Sequence, residues 1–491
     1  MRWRDFDNLA PLSDSFFQTP RRVHFIGIGG IGMSALAFVL KARGHAVSGS
    51  DVSEGDMLAR LRDAGVHTVI GHRAENLDLF GAPAEAVIFG SAVSPDNPER
   101  VAAAQAAIVQ WHRAQLLAYF VNNAKQSIAV SGTHGKSTTS AMIAHILTQC
   151  GKNPTAILGA VYPPFGSNVC IGDPDLVVVE ADESDGSFTL LKPSIAVVTN
   201  VEPEHLENYE NSEDELHRAF AMFINQARER VAINVDGQEV FKKIRSLVAN
   251  LASSQPKQLL ICYYATQPHR ADLLASDIVE HERQVHFTVT YFTVKLDGQC
   301  HLSIPGRHNV SNALGAISAV TTLTNDPIEA ARALADFHGV ARRFEFKGEA
   351  SDILIYDDYG HHPTEVRATL EAARDFLKRP IVVIFQPHRY SRTQQLGPEF
   401  GPAFAAADRV IVTQLYSAFE EPIEGVSGRT VFDAVRESFP DKPAVYAENL
   451  DEARQLAREL AKPGDAIITM GAGDVGKLGP LILQDLATPL V

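Results

Sequence analysis

The sequence predicts an α/β protein of three domains, each built around a mainly parallel sheet. Its 491 residues are too many for one hydrophobic core, since a domain usually has roughly 100 to 200 residues. A second observation is a unit of one short apolar run, one glycine or polar turn, and apolar residues at helical spacing. This unit spans residues 21–44, 127–151 and 352–377. Because strand, turn and helix make up the repeating unit of a parallel sheet, each copy is expected to begin a domain.

Domain boundaries are predicted from the positions of these units. One boundary is placed near residue 124, at the segment AYFVNNAK, and the other near residue 343, after GVARR. The predicted domains are therefore 1–124, 125–343 and 344–491. The alternating segment RQVHFTVTYFTVKL, in the stretch from 250 to 300, predicts a β-hairpin appended to the middle domain.

The composition excludes several classes of protein. With 45% hydrophobic and 21% charged residues, and no apolar run near the ~20 residues that cross a bilayer, no membrane insertion is expected. The N-terminal residues mix both charge signs, so no export signal is predicted. A net charge of −15 argues against a nucleic-acid partner, because phosphate backbones are bound through clustered positive charge. The four cysteines are too widely spaced for a CxxC pair, which favours a cytoplasmic location: Cys150, Cys170, Cys262 and Cys300.

The segment SGTHGKST predicts a phosphate-binding loop. It follows an apolar strand and opens a helix, so its backbone N–H groups and the helix N-terminus can surround an anion. Gly132 and Gly135 let the backbone approach the anion. Lys136 supplies positive charge, and the hydroxyl of Ser137 can ligate magnesium. The full GxxxxGK[ST] pattern needs glycine where Val130 stands, so the loop is a shortened form, and a glycine turn beside an exposed lysine is the alternative.

Two later strands end in groups that suit a metal and a nucleotide. The run DLVVVEADESD ends in Glu180, Asp182 and Glu183, and a carboxylate there can bind or water-bridge the magnesium of a nucleotide. The run SIAVVTNVEPEHLENY ends the next strand in Asn200 and His205. Because ligands collect at the carboxyl ends of parallel strands, these groups are expected to form one ATP and metal site with the loop. For Glu180 alone, a solvated carboxylate is an equally good interpretation.

A second glycine pattern, GxGxxG, follows the N-terminal strand RVHFI at Gly27, Gly29 and Gly32. Asp51 follows 24 residues after Gly27, near the spacing of a ribose-binding acid, so this pattern alone predicts NAD. The motif binds a diphosphate at a helix N-terminus, however, and a UDP-sugar also carries a diphosphate. A dehydrogenase needs no ATP-type lysine and magnesium site downstream, which argues against NAD.

The last domain has polar residues at two strand ends. Residues 356–362 leave the strand DILIY and reach Pro363, which suits the first turn of a helix. The strand PIVVIF leads into QPHRYSRT, which places Arg389 and Arg392 at the same sheet edge. Two guanidinium groups there suit a small carboxylate substrate, through charge-assisted hydrogen bonds. Surface arginines without a ligand are the alternative.

Segments spread in order from residue 27 to residue 476 resemble the Mur ligase family, ATP-dependent amide-forming enzymes of peptidoglycan synthesis. The matching segments are GIGGIGMSALA, SGTHGKSTTSAM, EADESDGSF, NVEPEHLENY, PGRHNVSNALGAI, GVARRFE, DDYGHHPTE, FQPHRYSRT, LYSAFEEPI and MGAGDVG. The resemblance implies an N-terminal Rossmann-like UDP-binding domain, a central P-loop ATPase-like domain and a C-terminal Rossmann-like domain. It also implies UDP-N-acetylmuramate, L-alanine and ATP as substrates, Mg²⁺ as the metal, and an acyl-phosphate intermediate. Ser137 and Thr138 stand where the family more often has threonines, and a hydroxyl is kept at the metal position.

The resemblance further implies the residues of each site. Residues expected to bind ATP are Gly132, Thr133, His134, Gly135, Lys136, Ser137, Thr138, His308, Asn309, Asn312 and Asp358. Residues expected to bind the UDP-sugar are Gly27, Gly29, Gly30, Gly32, Ser50, Asp51, His72 and Ser91. The amino acid is assigned to Tyr359, Arg389 and Arg392, and the metal to Ser137, Glu180 and His205. Catalytic roles are assigned to Lys136, Glu180, His205, Arg343 and His361. A helix-cap role explains Asn309 equally well.

Two other functions remain to be weighed against this one. A sister ligase attaches a recycled tripeptide to the same UDP-sugar, but the segments DDYGHHPTE and FQPHRYSRT favour the alanine enzyme. A regulator that binds a UDP-sugar or nucleotide without catalysis would need no set of lysine, hydroxyl, carboxylate and histidine. The sequence leaves the oligomeric state open.

Overall fold

Parallel strands joined by helices make up most of the computed structural model. It describes residues 3–9, 12–13, 15–252, 259–267, 271–281, 284–292, 294–295, 300–324, 326–418 and 420–487. The chain divides into two compact units. The first contains Met1–Asp277, Phe287–Cys300 and His308–Phe337, and the second contains Ile278–His286, His301–Arg307 and His338–Val491. The boundaries placed near residues 124 and 343 stay predictions.

The first sheet is parallel throughout and has the order β3-β2-β1-β4-β5. Its strands are β1 Arg22–Ile26, β2 Ala46–Asp51, β3 His67–Ile70, β4 Ala86–Phe89 and β5 Val109–His112. The helices between and after them are α1 Ile31–Ala42, α2 Asp56–Asp63, α3 Pro98–Gln105 and α4 Arg113–Asn123. Because the strand order reverses between β1 and β4, a crevice is expected at their carboxyl ends, where the first glycine loop lies.

The second sheet contains the other glycine loop. Its strands are β6 Gln126–Ser131, β7 Pro154–Tyr162, β8 Ser167–Cys170, β9 Asp173–Glu180, β10 Ile195–Val198, β11 Arg230–Asn234, β12 Leu260–Ala265, β13 Leu273–His281, β14 Gln284–Tyr291, β15 Val294–Lys295 and β16 Cys300–Leu302. The helices are α5 Lys136–Gln149, α6 Glu213–Gln226, α7 Gln238–Ala252, α8 Arg307–Thr324 and α9 Pro327–Ala333. Strand β6 lies between β9 and β10 and is parallel to both, so the loop after β6 is flanked by the ends of these two strands.

The predicted hairpin at residues 283–296 contains strands β14 and β15, which pair antiparallel at Thr290↔Lys295 and Tyr291↔Val294. Residues 283, 293 and 296 of this prediction lie outside the described residues.

The third sheet has the order β17-β18-β22-β19-β20-β21. Its strands are β17 Glu345–Ala350, β18 Ile353–Asp358, β19 Ile381–Phe385, β20 Arg409–Thr413, β21 Ala444–Ala447 and β22 Ala466–Met470. Its helices are α10 Pro363–Leu377, α11 Tyr390–Ala403, α12 Gly428–Ser438, α13 Leu450–Leu460 and α14 Leu478–Ala487. All of its pairings are parallel except that of β17 with β18. The predicted α/β class with three mainly parallel sheets is confirmed.

Local sequence explains where the helices begin. Pro363 is the first residue of α10, as predicted, since proline has no N–H to leave unpaired there. The His362 side chain accepts a hydrogen bond from the N–H of Thr364, and Glu365 completes a reciprocal cap. Helix α3 begins in a similar way, with Asn97 as the cap and Pro98 as the first residue. These caps fix the chain where it leaves a strand end.

Apolar strands form the core of each sheet. Val177, Val178 and Val179 of β9 are fully buried, as are Val382 and Val383 of β19. Strands buried on both faces are typical of parallel sheets covered by helices. Within the described residues, no helix combines the length and hydrophobicity needed to span a membrane.

Candidate functional site

The loop between β6 and α5 is held open by two glycines. Gly132 has a φ of 138° and Gly135 a φ of 81°, and side chains rarely adopt either. A Cβ on Gly132 would lie 2.1 Å from Oγ1 of Thr199, and a Cβ on Gly135 would lie 2.3 Å from Oδ1 of Asn312. Both positions therefore require glycine, and the loop reaches Lys136 with its backbone N–H groups at a helix N-terminus, the arrangement that favours anions.

The Lys136 ammonium lies inside the loop. Its Nζ donates to the carbonyl oxygens of Gly132 at 2.7 Å and Thr133 at 3.0 Å. It also lies 2.8 Å from Oε2 of Glu183, whose side chain is 4% exposed, so this ion pair is shielded from water. Burial opposes the charge on the ammonium, but the attraction of Glu183 and neighbouring carboxylates outweighs burial and raises the pKa of Lys136. Burial raises the pKa of Glu183 to about 7, against the attraction of Lys136. The lysine is thus a fixed positive charge in the loop.

The predicted metal ligands Ser137 and Glu180 are in direct contact. The Ser137 hydroxyl donates to Oε2 of Glu180 across 2.6 Å. A Cβ on Gly159 would lie 2.1 Å from the same oxygen, so only glycine leaves room for this carboxylate. Nucleotide-bound Mg²⁺ usually takes one or two protein oxygens and completes its shell with phosphates and water. The hydroxyl and carboxylate fit that role.

Strand β10 supports the loop from the other side. The Asn200 side chain accepts from the N–H of His134 at 2.8 Å and donates to its carbonyl oxygen at 3.0 Å. The Thr199 hydroxyl donates to the same carbonyl at 2.6 Å, and the Thr133 hydroxyl accepts from the N–H of Glu202 at 2.8 Å. The structure therefore brings together the loop, Glu180 and the end of β10, as the sequence predicted.

The assignment of His205 to the metal stays a prediction. Its backbone is in the left-handed region, with a φ of 55°, and its side chain is 32% exposed. The imidazole lies 4.0 Å from Glu204 and 3.8 Å from Glu207. Among the described residues, no group of three or more His, Cys, Asp or Glu could hold a metal by itself.

Helix α8 contributes two buried amides beside the loop. Asn312 Nδ2 donates to Oδ1 of Asn309 at 3.1 Å. The contact of Asn312 with Gly135 puts this helix directly against the loop, and His308 precedes both amides in its first turn. This placement is consistent with the predicted nucleotide role of these residues, which stays a prediction.

The first glycine loop lies between β1 and α1. Gly27 has a φ of 77°, and the N–H of Gly29 donates to Oδ2 of Asp51 at 2.8 Å. The other oxygen of Asp51 accepts from the N–H of Val52, also at 2.8 Å. Asp51 therefore shapes the loop, whatever it binds. Ser50 lies beside it, with its hydroxyl 2.9 Å from Nδ1 of His72.

Polar residues link the first sheet to the loop after β9. The sequence analysis named Ser91 and Asp182 among them, but not His112, Arg113 or Asp185. The Ser91 hydroxyl lies 3.0 Å from Nε2 of His112 and donates to Asp185 at 2.9 Å. Arg113 lies 3.9 Å from Asp182 and 3.7 Å from Asp185, and a Cβ on Gly32 would be 3.5 Å from its guanidinium. Burial and the charge of Arg113 lower the pKa of His112 to about 4, so its imidazole is neutral. No motif connects residues so far apart in sequence.

In the second unit, the predicted amino-acid residues cluster around two imidazoles. His361 Nδ1 lies 3.0 Å from the carbonyl oxygen of Tyr359, and the rings of His361 and His388 are 5.6 Å apart. Arg392 lies 3.2 Å from Nδ1 of His388. Burial lowers the pKa of His361 to about 4 and that of His388 to about 3, so both rings are neutral near pH 7. Arg389 stands at a φ of 70°, an unusual backbone for arginine.

Two further predicted residues of this unit have identified contacts. The buried Asp358 carboxylate accepts from the N–H groups of Gly360 and Phe344, both at 2.8 Å, and burial raises its pKa. Arg343 lies 3.6 Å from Glu365 and 5.4 Å from the centre of the Tyr359 ring. Their roles toward ATP stay predictions.

Family models match the chain in three segments. The Mur ligase family catalytic domain matches residues 22–125, the Mur ligase middle domain matches 130–320, and the Mur ligase glutamate ligase domain matches 342–473. The chain belongs to the Mur ligase family. The resemblance seen in the sequence is thereby confirmed.

Individual Mur ligases are similar over nearly their whole length. A UDP-N-acetylmuramate--L-alanine ligase of Anaeromyxobacter dehalogenans is 40% identical over 94% of this chain and 97% of its own. One of Rubrobacter xylanophilus is 41% identical over 95% of this chain and 100% of its own. The crystal structure of UDP-N-acetylmuramate-alanine ligase MurC from Thermotoga maritima aligns with a TM-score of 0.79 at 30% identity, covering 95% of this chain and 99% of that one. A murein peptide ligase from Psychrobacter arcticus aligns with a TM-score of 0.67 at 24% identity, a likeness of fold.

Proposed function

We propose that this Mur ligase joins L-alanine to the lactyl carboxylate of UDP-N-acetylmuramate, with conversion of ATP to ADP and phosphate. The observation that carries the proposal is the glycine loop with Lys136 fixed inside it and the Ser137 and Glu180 pair beside it. That arrangement suits transfer of a phosphoryl group, and relatives about 40% identical across 94% of the chain carry the name of the L-alanine ligase.

The first chemical step activates the carboxylate. One lactyl oxygen attacks the γ-phosphorus of ATP, the bond to ADP breaks, and an acyl phosphate forms. Lys136 and the loop N–H groups are placed to stabilise the charge that spreads over the transferring group. Ser137 and Glu180 would hold Mg²⁺, which supplies further positive charge at the phosphates when bound.

The second step forms the amide. The amine of L-alanine attacks the acyl carbon, and phosphate leaves with the former carboxylate oxygen. We assign the alanine carboxylate to Arg389 and Arg392, and the small side chain to the surroundings of Tyr359. The imidazoles of His361 and His388, whose pKa values burial lowers to about 4 and about 3, are neutral near pH 7 and add no positive charge that would repel the ammonium group of the amine. Because ATP is consumed, we propose a cytoplasmic location.

Phosphate release from ATP tests this function directly. The enzyme is incubated with UDP-N-acetylmuramate, Mg²⁺ and one amine at a time: L-alanine, D-alanine, glycine, or the recycled tripeptide. We expect the highest kcat/KM with L-alanine and no phosphate when the UDP-sugar is omitted. A preference for the tripeptide would identify the sister ligase, and nucleotide binding without turnover on any amine would indicate a regulator.

A further inference from the structure

A buried carboxylate lies beside strands β1 and β2 of the first sheet, and the proposed mechanism does not use it. Glu99 belongs to the first turn of α3, directly after Pro98, and its side chain is 0% exposed. A buried carboxylate is stable only when hydrogen bonds replace the water it has lost. The partners of Glu99 therefore reveal its role.

Among the described side chains, four donors converge on Glu99. The Ser50 hydroxyl donates to Oε2 at 2.7 Å, and the Asn76 amide donates to Oε1. Nδ1 of His72 lies 3.3 Å from Oε2, and Nε2 of His24 lies 3.6 Å from Oε1. An ionised carboxylate only accepts hydrogen bonds, so it suits this set of donors. Burial raises the pKa of Glu99, but the nearby His24 imidazole and the hydrogen bonds from Ser50 and Asn76 outweigh burial and hold it below its usual value.

The direction of these hydrogen bonds fixes the protons of His72. Because the Ser50 hydroxyl donates to Glu99, its oxygen has to accept from Nδ1 of His72, 2.9 Å away. Nδ1 must then carry the ring proton, and in a neutral imidazole Nε2 is left as a hydrogen-bond acceptor. The His72 side chain is 22% exposed, whereas Glu99 is fully buried, so the imidazole is the member of the network that a ligand can reach.

We propose that Glu99 is a positioning residue that holds His72 in its Nδ1–H form and so presents Nε2 as an acceptor to the uridine portion of the UDP-sugar. This inference rests on the proposed function and adds the means by which the nucleoside is recognised. Uridine offers two kinds of donor, the N3–H of uracil and the ribose hydroxyls. Cytosine has an acceptor at N3 instead, which an unprotonated Nε2 would reject.

Glu99→Gln should disturb this network in a predictable way. An amide oxygen facing Ser50 would set the new NH₂ group against the Asn76 donor, which a further hydrogen bond to the carbonyl oxygen of Gly71 holds in place, so this orientation is disfavoured. If the amide turns over to satisfy Asn76, it donates to Ser50, whose hydroxyl then donates to Nδ1 of His72. That reversal moves the ring proton to Nε2, which changes the exposed group from an acceptor to a donor.

The tautomer of His72 can be read by NMR of the enzyme with ¹⁵N-labelled histidine, with the resonance assigned through His72→Gln. We expect the Nδ1–H form in the unmodified enzyme and a shift toward the Nε2–H form in Glu99→Gln. An Nε2–H form in the unmodified enzyme would overturn the proposal even if the variant did not fold. An unchanged Nδ1–H form in a folded variant would also overturn it.

Calorimetric titration measures the consequence for binding. Glu99→Gln should weaken binding of UDP by about tenfold, the effect of losing one hydrogen bond between neutral groups, while the KM values for ATP and L-alanine stay unchanged. The matched control is Glu85→Gln, a half-buried acid of the same sheet that pairs with Arg21 and Arg22. Equal weakening in both variants, or none in Glu99→Gln, would overturn the proposal.

Two analogues identify the uridine donor. If N3–H is the donor, the unmodified enzyme prefers UDP to CDP, and this preference shrinks in Glu99→Gln. If a ribose hydroxyl is the donor, the same loss of preference appears between UDP and 2′-deoxy-UDP. Loss of neither preference would overturn the role of Nε2. Failure of the unmodified enzyme to release phosphate with UDP-N-acetylmuramate would instead contradict the proposed function, whereas the NMR result is independent of turnover.

Discussion

The two glycine loops have the same backbone construction and different neighbours. Each follows a buried parallel strand and opens a helix, at Gly27–Gly32 in the first sheet and at Gly132–Lys136 in the second. The first loop has no lysine, and the Asp51 carboxylate accepts from one of its own N–H groups. The second contains Lys136, paired with the buried Glu183. The groups beside each loop therefore differ far more than the loops themselves.

This difference teaches that a glycine loop determines where an anion binds and its neighbours determine what happens to it. Backbone N–H groups at a helix N-terminus attract a phosphate in either case. Only the second loop has a fixed ammonium and a hydroxyl and carboxylate pair, which can stabilise charge that moves during phosphoryl transfer. The first loop lacks both, in keeping with the proposal that it holds the diphosphate of the UDP-sugar without reacting with it.

The largest expected effect comes from Lys136→Ala. Removing the ammonium should lower phosphate release by about a hundredfold to a thousandfold, the range seen when one stabilising donor is lost, with UDP binding intact. The control is Lys152→Ala, an exposed lysine just beyond the same helix. Substantial residual turnover, or an equal loss of UDP affinity, would contradict the assignment of different roles to the two loops.

Binding of the amine substrate should depend on neither glycine loop. Arg392→Ala is expected to raise the KM for L-alanine about tenfold or more, since a charge-assisted hydrogen bond contributes about 1.5 to 3 kcal/mol, with the KM for ATP unchanged. Alaninamide, which lacks the carboxylate, should be a poor substrate that loses little further in the variant. The control is Arg367→Ala on the exposed side of α10. An equal loss of activity with alanine and with alaninamide would show that Arg392 does not bind the alanine carboxylate.

An effect of similar size is expected from Glu180→Gln, which tests the metal assignment. Without the charged oxygen beside Ser137, the Mg²⁺ concentration for half-maximal activity should rise about tenfold or more. Glu213→Gln is the control, because this carboxylate is exposed in the first turn of α6. An unchanged magnesium dependence in Glu180→Gln would show that this carboxylate does not serve the metal.

The smallest effect concerns the first loop. Asp51→Asn keeps one oxygen for the N–H of Gly29 or Val52 but loses the charge, so UDP binding should weaken by about fivefold, or about 1 kcal/mol. The KM for ATP should not change. Asp56→Asn, an exposed acid at the start of α2, is the control. If ATP and UDP were affected alike, the loop would be acting through the stability of the whole unit.

The sequence could predict those parts of the fold and of the candidate site that depend on residues close together in the chain. Strand, loop and helix follow one another in the sequence, so both glycine loops could be predicted from it. The carboxyl ends of parallel strands lie at one edge of the sheet, which predicted that Glu180 lies close to the second loop. Glu99 shows the limit. In the sequence it is an acid in the first turn of a helix, a common position, and its partners Ser50 and His72 lie on strand β2 and on the loop after β3.

The pair of Arg113 and Asp185 is a second example of this limit. The two residues are 72 positions apart, and neither belongs to a motif with a defined partner. Their proximity depends on how the first sheet packs against the loop after β9, which no local pattern encodes. Motifs predicted that the second glycine loop and Glu180 lie together, but not the network around them.

The central claim, that the second loop transfers a phosphoryl group to the substrate carboxylate, is tested most directly by an oxygen-isotope measurement. UDP-N-acetylmuramate carrying oxygen-18 at both lactyl oxygens is converted with ATP and L-alanine, and the released phosphate is analysed by mass spectrometry. Because the acyl-phosphate oxygen leaves with phosphorus, each phosphate should carry one heavy oxygen. Unlabelled phosphate would mean that ATP is cleaved without activating the carboxylate, and the account would be contradicted.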